Sequence, residues 1–210
     1  MIIDMHVHTM VSSVCSSIAP EDLVKTAMEI GLDGICVTEH GAIEGAMVAK
    51  EIGRKYDFPI FTGMEVQSRE GHLLLFGYME KIEGVLPAHE IIDMVEAVGG
   101  IVIPAHPYRV PFGWYSGAVE QALEESEFVK MFRVIEMYNG LSLPEENRTA
   151  EEFCKKTGIY GIGGSDAHWI GDVGCCTTIF EAEIADEKQL MEELKKGTYS
   201  AKINDNYTRR

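Results

Sequence analysis

The sequence predicts an α/β fold, and three observations lead to it. Short apolar runs alternate with amphipathic helical stretches six or seven times, which implies a parallel sheet. Several of the runs are nearly all apolar, as strands buried on both faces are. The helical stretches between them carry their own start and stop signals. A closed (β/α) barrel and an open doubly wound sheet both satisfy this alternation. The Gly-x-Gly-x-x-Gly that would favour the open sheet is absent after the first strand, as is any Gly-x-x-x-x-Gly-Lys.

In order, the predicted strands are 2–6, 34–38, 59–62, 73–78, 101–105, 134–138, 159–162 and 177–180. The first helix starts at Pro20, repeats Leu23, Ala27 and Ile30 on one stripe, and stops at Gly31. A second runs over 42–56. A third, 89–98, aligns Ile91, Val95 and Val98 before Gly99 and Gly100 end it. Pro144 or Glu145 opens the next, which Gly158 closes. The last takes Asp186 as N-cap with Gln189 as capping-box partner, buries Leu190 and Leu194, and ends at Gly197. No repeat, low-complexity tract or long linker interrupts 1–210, so a single domain is expected.

Thirty-four acidic residues against 18 basic ones give a formal net charge of −16. That balance argues against a broad nucleic-acid or anionic-membrane surface, both of which reward a basic face. A small anionic substrate stays compatible, because bound cations reverse the local field. No apolar run approaches the ~20 residues of a membrane span, and MIIDMHVHT does not read as a secretory signal. Five cysteines, none in a C-x-x-C pair, suit a reduced cytoplasmic setting better than a disulfide framework.

The chemistry concentrates in the histidines. Six of seven stand at or just beyond predicted strand ends, where a parallel barrel opens its active face. His6 and His8 alternate onto one side of the first strand. Glu39-His40 ends the second. Glu65 follows the third and is the candidate bridging carboxylate, and His72 heads the next run. His106 follows IVIPA; ligation would satisfy one of its nitrogens and a backbone bond the other. Asp166 and His168 lie in GIGGSDAH, and His89, on a helix start, is expected on the surface. Imidazoles and carboxylates without ordered thiolates suit Zn, Mn or Fe. Cys15 is expected to be an ordinary thiol rather than a soft ligand.

The pieces DMHVHT at 4–9, VTEH at 37–40, GME at 63–65, GHLLLFG at 71–77, AHPYR at 105–109, VIEMYNG at 134–140 and GGSDAH at 163–168 resemble the PHP (polymerase and histidinol phosphatase) family over nearly the whole chain. The resemblance implies a distorted (β/α)7 TIM-like barrel holding two or three divalent metals. It implies a first metal on His6, His8, Glu65 and Asp166, and a second sharing Glu65 with His72 and His106. A third would use His40 and His168 with a ligand from the loop after the first strand. The chain departs from that pattern at Ser13, where an Asp is expected, and no Asp or His lies in 9–19. Glu39, a water or Cys15 would have to complete that set, or it stays without an ion.

The expected activity is hydrolysis of a small phosphomonoester by a metal-activated water. Candidates are a nucleotide, a nucleoside bisphosphate or a histidinol-phosphate-like ester. His168 or His40 would protonate the leaving oxygen, and Arg109 would grip the phosphate. Four aromatics in 108–115, including Trp114, either stack a planar substrate group, together with the nearby Trp169, or belong to a loop folded over its own small core. Two rivals are an amidohydrolase-type C–N hydrolase and a non-catalytic metal-binding barrel. No Lys ends a predicted strand to bridge metals in the amidohydrolase manner, and the retained ligand positions argue against decay to a binding module.

Overall fold

The structure is a computed structural model that describes residues 1–110, 114 and 125–204. In chain order it forms β1 (Ile2–Val7), α1 (Pro20–Glu29), β2 (Gly34–His40), α2 (Glu44–Lys55), β3 (Ile60–Gln67), β4 (His72–Phe76), α3 (Ala88–Ala97) and β5 (Ile101–Pro104). It continues with α4 (Glu125–Met131), β6 (Val134–Asn139), α5 (Pro144–Thr157), β7 (Tyr160–Gly164), β8 (Cys176–Phe180), α6 (Glu187–Lys196) and β9 (Tyr199–Ile203). All eight predicted strands are present with ends shifted by a few residues; β9 and α4 escaped the periodicity.

The strands hydrogen-bond as a curled seven-stranded sheet, order β5-β4-β3-β2-β1-β8-β9, and a separate β6-β7 ribbon. Only β1–β2, β2–β3 and β6–β7 are parallel; β4, β8 and β9 run antiparallel to their neighbours. The all-parallel expectation therefore gives way to a mixed sheet. The reason is local: the four residues between Gln67 and His72 permit only a hairpin, since a parallel return needs a dozen or more. The ribbon reaches β1 beyond β7, where Asp166 N donates to His6 O at 2.7 Å and His8 N to Ala167 O at 3.1 Å.

Strand alternation divides the apolar residues between two faces. Ile3, Met5, Cys36, Phe61, Leu74, Ile103, Val134 and Ile162 meet inside the curl, and Leu190 and Leu194 of α6 seal its far end. Outside, α1 and α2 cover β1–β3 through Leu23, Val24, Ala27, Ala46 and Ala49. A further outer core joins β3 and β4 to α3, α4 and α5. Helix α6 starts as read: Asp186 Oδ1 accepts from Gln189 N at 2.8 Å, although Gln189 Oε1 caps Ala185 N rather than the N-cap amide.

Two bulges aim the site. The β1–β2 register slips between Asp4 and Val7, and the β6–β7 register between Glu136 and Tyr138. An extra residue in a strand re-aims the side chains beyond it. Val7 thus packs outward while His6 and His8 stay inward, and Glu136 and Asn139, three apart, serve the same mouth.

Candidate metal centre

The six predicted histidines, Glu65 and Asp166 converge on one rim of the curled sheet. His72 heads its strand, as read from the sequence, but the direction of that strand was not expected. Because β4 runs against β3, His72 pairs with Gln67 and so joins the same rim. Glu65 lies within β3, not after it, and is 3 % exposed. His89 is exposed and apart, as expected.

Among the described residues three donor groups result, each with ligand atoms within 4.8 Å of one another: His6, His8, Glu65 and Asp166; Glu65, His72 and His106; and His8, His40 and His168. Glu65 joins the first two by presenting different oxygens. Its Oε1 lies 2.8 Å from His72 Nδ1 and 3.0 Å from His106 Nε2. Its Oε2 lies 3.5 Å from His6 Nε2, 3.4 Å from His8 Nε2 and 3.0 Å from His40 Nδ1. Asp166 turns Oδ1 to His6 and His8, at 3.4 and 3.2 Å.

Several ring tautomers are set from behind. His6 Nδ1 donates to Glu136 Oε1 at 2.9 Å, which turns its Nε2 toward His8 Nε2, also 2.9 Å away. His168 Nδ1 donates to Asp166 O at 2.8 Å, which leaves its Nε2 facing His40 Nε2 at 3.4 Å. The expected backbone partner of His106 is missing: its buried Nδ1 has no hydrogen-bond partner among the described residues. Instead, the His106 amide donates to Glu136 Oε2 at 2.8 Å. His106 and Asp166 both hold positive φ, 29° and 55°, which only strong surrounding contacts sustain in residues other than Gly.

The electrostatics follow from close packing of opposite charges. Burial pushes Glu65 and Asp166 toward neutrality, but the imidazoles around them, with Arg109 at Asp166, prevail and hold both carboxyls well below the usual range. Burial opposes a charge on His6 too, yet Asp166, Glu136 and Glu65 raise its pKa well above normal. His8 is driven down to about 4 by burial, which keeps it neutral. The donor chemistry of the site, buried imidazole nitrogens opposite carboxylate oxygens, fits divalent cations.

Near His40 and His168 the Ser13 substitution has a visible consequence. Ser13 Oγ bonds Glu39, accepts from His40 N at 3.1 Å and lies 3.3 Å from His8 Nδ1. Glu39 is buried behind it, accepting from Thr9 N at 3.2 Å and from the Thr9 hydroxyl. Glu39 is therefore a structural carboxylate in this arrangement, and Cys15 is exposed outside all three donor groups.

The sequence-based reading missed Asp4, Glu136 and Asn139. Asp4 Oδ1 accepts from Ser165 N, and its Oδ2 from Gly174 N, both at 2.8 Å, fixing the loop that carries Asp166. All three lay within the matched motifs, which was the available signal. Of the two readings of the 108–115 aromatics, Trp114 takes the core one. Trp114 is 1 % exposed, packs edge-on against Phe128 and Phe132, and donates Nε1–H to His72 O at 3.1 Å. Pro111, Phe112, Gly113 and Tyr115 lie outside the described residues. Trp169 is 66 % exposed.

Comparison with known proteins agrees with this geometry. A model of the PHP-associated region matches residues 144–199. An uncharacterized protein of Methanocaldococcus jannaschii is 30 % identical over 173 residues, covering 82 % of this chain and 67 % of that protein. A Caldicellulosiruptor bescii protein named "Probable phosphatase" is 26 % identical over 202 residues, covering 83 % of this chain and 82 % of that one. A two-domain Bacteroides vulgatus protein containing a predicted PHP-like metal-dependent phosphoesterase superposes with a TM-score of 0.75 at 20 % identity. That superposition covers 97 % of this chain, which spans 64 % of the longer protein. The PHP domain family model itself matches residues 4–142, two thirds of the sequence and six of the eight donors, and the chain belongs to the PHP domain family.

Proposed function

We propose that this chain is a metal-dependent phosphoesterase acting on a small phosphomonoester such as a nucleotide, a nucleoside bisphosphate or a histidinol-phosphate-like ester. The observation that carries the reading is the division of Glu65, one oxygen toward His72 and His106 and the other toward His6 and His8. A carboxylate shared in this way suits two neighbouring cations. His6, His8, Glu65 and Asp166 would hold one, and Glu65, His72 and His106 a second; His40 and His168 would contribute to a third. Divalent cations bound there would lower the pKa of a water and offset charge on the phosphoryl oxygens.

The chain's own groups supply the rest. Glu136 and the Asp166 carbonyl keep His6 and His168 in the tautomers that face the mouth. His40 and His168, whose side chains are 40 % and 15 % exposed, would in protonated form supply the leaving oxygen's proton where no third cation engages them. A phosphate grip by Arg109 would require its contact with Asp166 to open. Among the described residues no helix is long and apolar enough to cross a membrane.

The test is inorganic phosphate release with added Mn²⁺ across a panel of phosphomonoesters and nucleotides, with Asp166→Ala as control. Release that depends on Asp166 is expected. Metal-loaded protein that hydrolyses amides or lactams but releases no phosphate from any ester would overturn the reading.

A further inference from the structure

The two oxygens of Asp166 are used differently. Oδ1 faces the His6 and His8 Nε2 atoms, whereas Oδ2 points away, to Arg109 Nη1 at 2.5 Å and Asn139 Nδ2 at 3.3 Å. Arg109 and Asn139 also hold each other, Nη1 donating to Asn139 Oδ1 at 3.2 Å.

Asn139 cannot turn over in this arrangement. Its Oδ1 accepts from the amides of Leu141 and Ser142 at 2.9 and 3.0 Å, so its NH₂ must face the carboxylates, Glu136 Oε2 at 3.0 Å and Asp166 Oδ2. Its backbone is clamped on both sides by Asn147, whose Oδ1 accepts the Asn139 amide and whose Nδ2 donates to the Asn139 carbonyl, at 2.9 and 3.0 Å. The β6 bulge is what lets Glu136 and Asn139 serve the same mouth. Arg109 is set by its own short turn, its amide donating to His106 O at 3.0 Å, so the clamp and a donor of the neighbouring group share one backbone segment.

We propose that Arg109 and Asn139 are positioning residues that hold Asp166 as a one-oxygen ligand toward the His6–His8 pair. The proposal rests on the metal-centre reading above. A free carboxylate beside a cation can close both oxygens onto it; occupying Oδ2 with a guanidinium N–H and a fixed amide prevents that and orients Oδ1. Arg109 then acts through Asp166 rather than on the substrate.

The test loads the full chain with Co²⁺ and reads metal content and the visible absorption bands, which weaken as coordination number rises. Arg109→Met, which keeps the aliphatic stem and loses both Nη1 bonds, is expected to keep the wild-type number of ions while its bands shift and lose intensity. Arg109→Lys, which retains a charge near Oδ2, is expected to restore the wild-type bands. Arg109→Gln, without the charge, serves in place of the Met variant if that one does not fold. Bands in Arg109→Met or Arg109→Gln that superimpose on those of the wild type overturn the clamp. So does an increase in KM for a phosphoester with unchanged bands, which would make Arg109 a substrate-binding group. Wild-type protein that takes up no Co²⁺ overturns the metal centre and the clamp together. The expected band changes without phosphate release from any ester support the clamp and remove only the phosphoesterase reading.

Discussion

Glu136 holds His6 by a 2.9 Å hydrogen bond between two fully buried side chains 130 positions apart. The same carboxylate takes the amides of His106 and Asn139, so one residue aligns parts of two donor groups. Partners placed behind a ligating imidazole are worth roughly 10–100-fold in metal affinity or activity. Glu136→Gln keeps an acceptor but loses the charge, and a loss of that order is expected in a chelator competition, with the far-UV spectrum unchanged.

Glu65→Ala should be more severe, because it removes an oxygen from two groups at once. Metal content per chain is expected to fall and activity to be abolished, whereas His89→Ala, at an exposed helix start, should retain both. Metal analysis of the two variants side by side checks this; equal losses would refute the partition of the histidines.

Removing cations should also destabilise the fold. Glu65, Asp166 and Glu136 are nearly fully buried around His6, and they repel one another when the balancing charge is lost. A cation held at a thousandfold above its Kd contributes about 4 kcal/mol, which for a chain of this size corresponds to about 10 °C in Tm. Thermal melts with and without chelator measure it, and an unchanged Tm after verified metal removal would contradict it.

Trp114→Ala is expected to cost about 3–5 kcal/mol of stability, the usual result of emptying a buried aromatic site. Trp169→Ala should stay within about 0.5 kcal/mol, since that ring is mostly exposed. Denaturant midpoints distinguish the two tryptophans, which composition alone treats alike.

Glu187 gives a pH signature away from the donor groups. Burial raises its pKa, but Lys50, which pairs with its Oε1, and the Thr62 amide outweigh this and leave it lower than the ordinary 4.5. A carboxylate with a depressed folded pKa stabilises above its unfolded pKa and loses that contribution as pH falls through the folded one. Glu187→Gln should therefore cost about 1 kcal/mol at neutral pH. The gap to wild type should close as the pH drops well below 4.5, which acid-range urea titrations of both proteins would follow.

Much of this was legible in the residues. Leu23, Ala27, Leu190 and Leu194 announced their helices by spacing, and the eight donors announced one rim by standing at strand boundaries. Strand direction was not legible, because a run such as HLLLF has the same period whichever way it points; only the length of the link to its neighbour limits the choice. β9 was missed because Tyr199–Ile203 is half exposed and carries little apolar patterning. Glu136 and Asn139 were missed for a different reason. A residue spacing of three does not read as one face of a strand until the bulge at β6 is known. The role of Trp114 stayed open between two readings because a dense aromatic segment looks the same whether it lines a mouth or fills a core.

The bonds from Asp4 to Ser165 join positions 161 apart, and the donors around them are drawn from the first strand to the seventh. The first donor group has a high contact order, since it runs from His6 to Asp166 and no local fragment of the chain holds it complete. During synthesis the first group therefore stays open until Asp166 has left the ribosome and docked beside His6. A cation bound there would be captured late, and its binding would report that both ends of the fold have met.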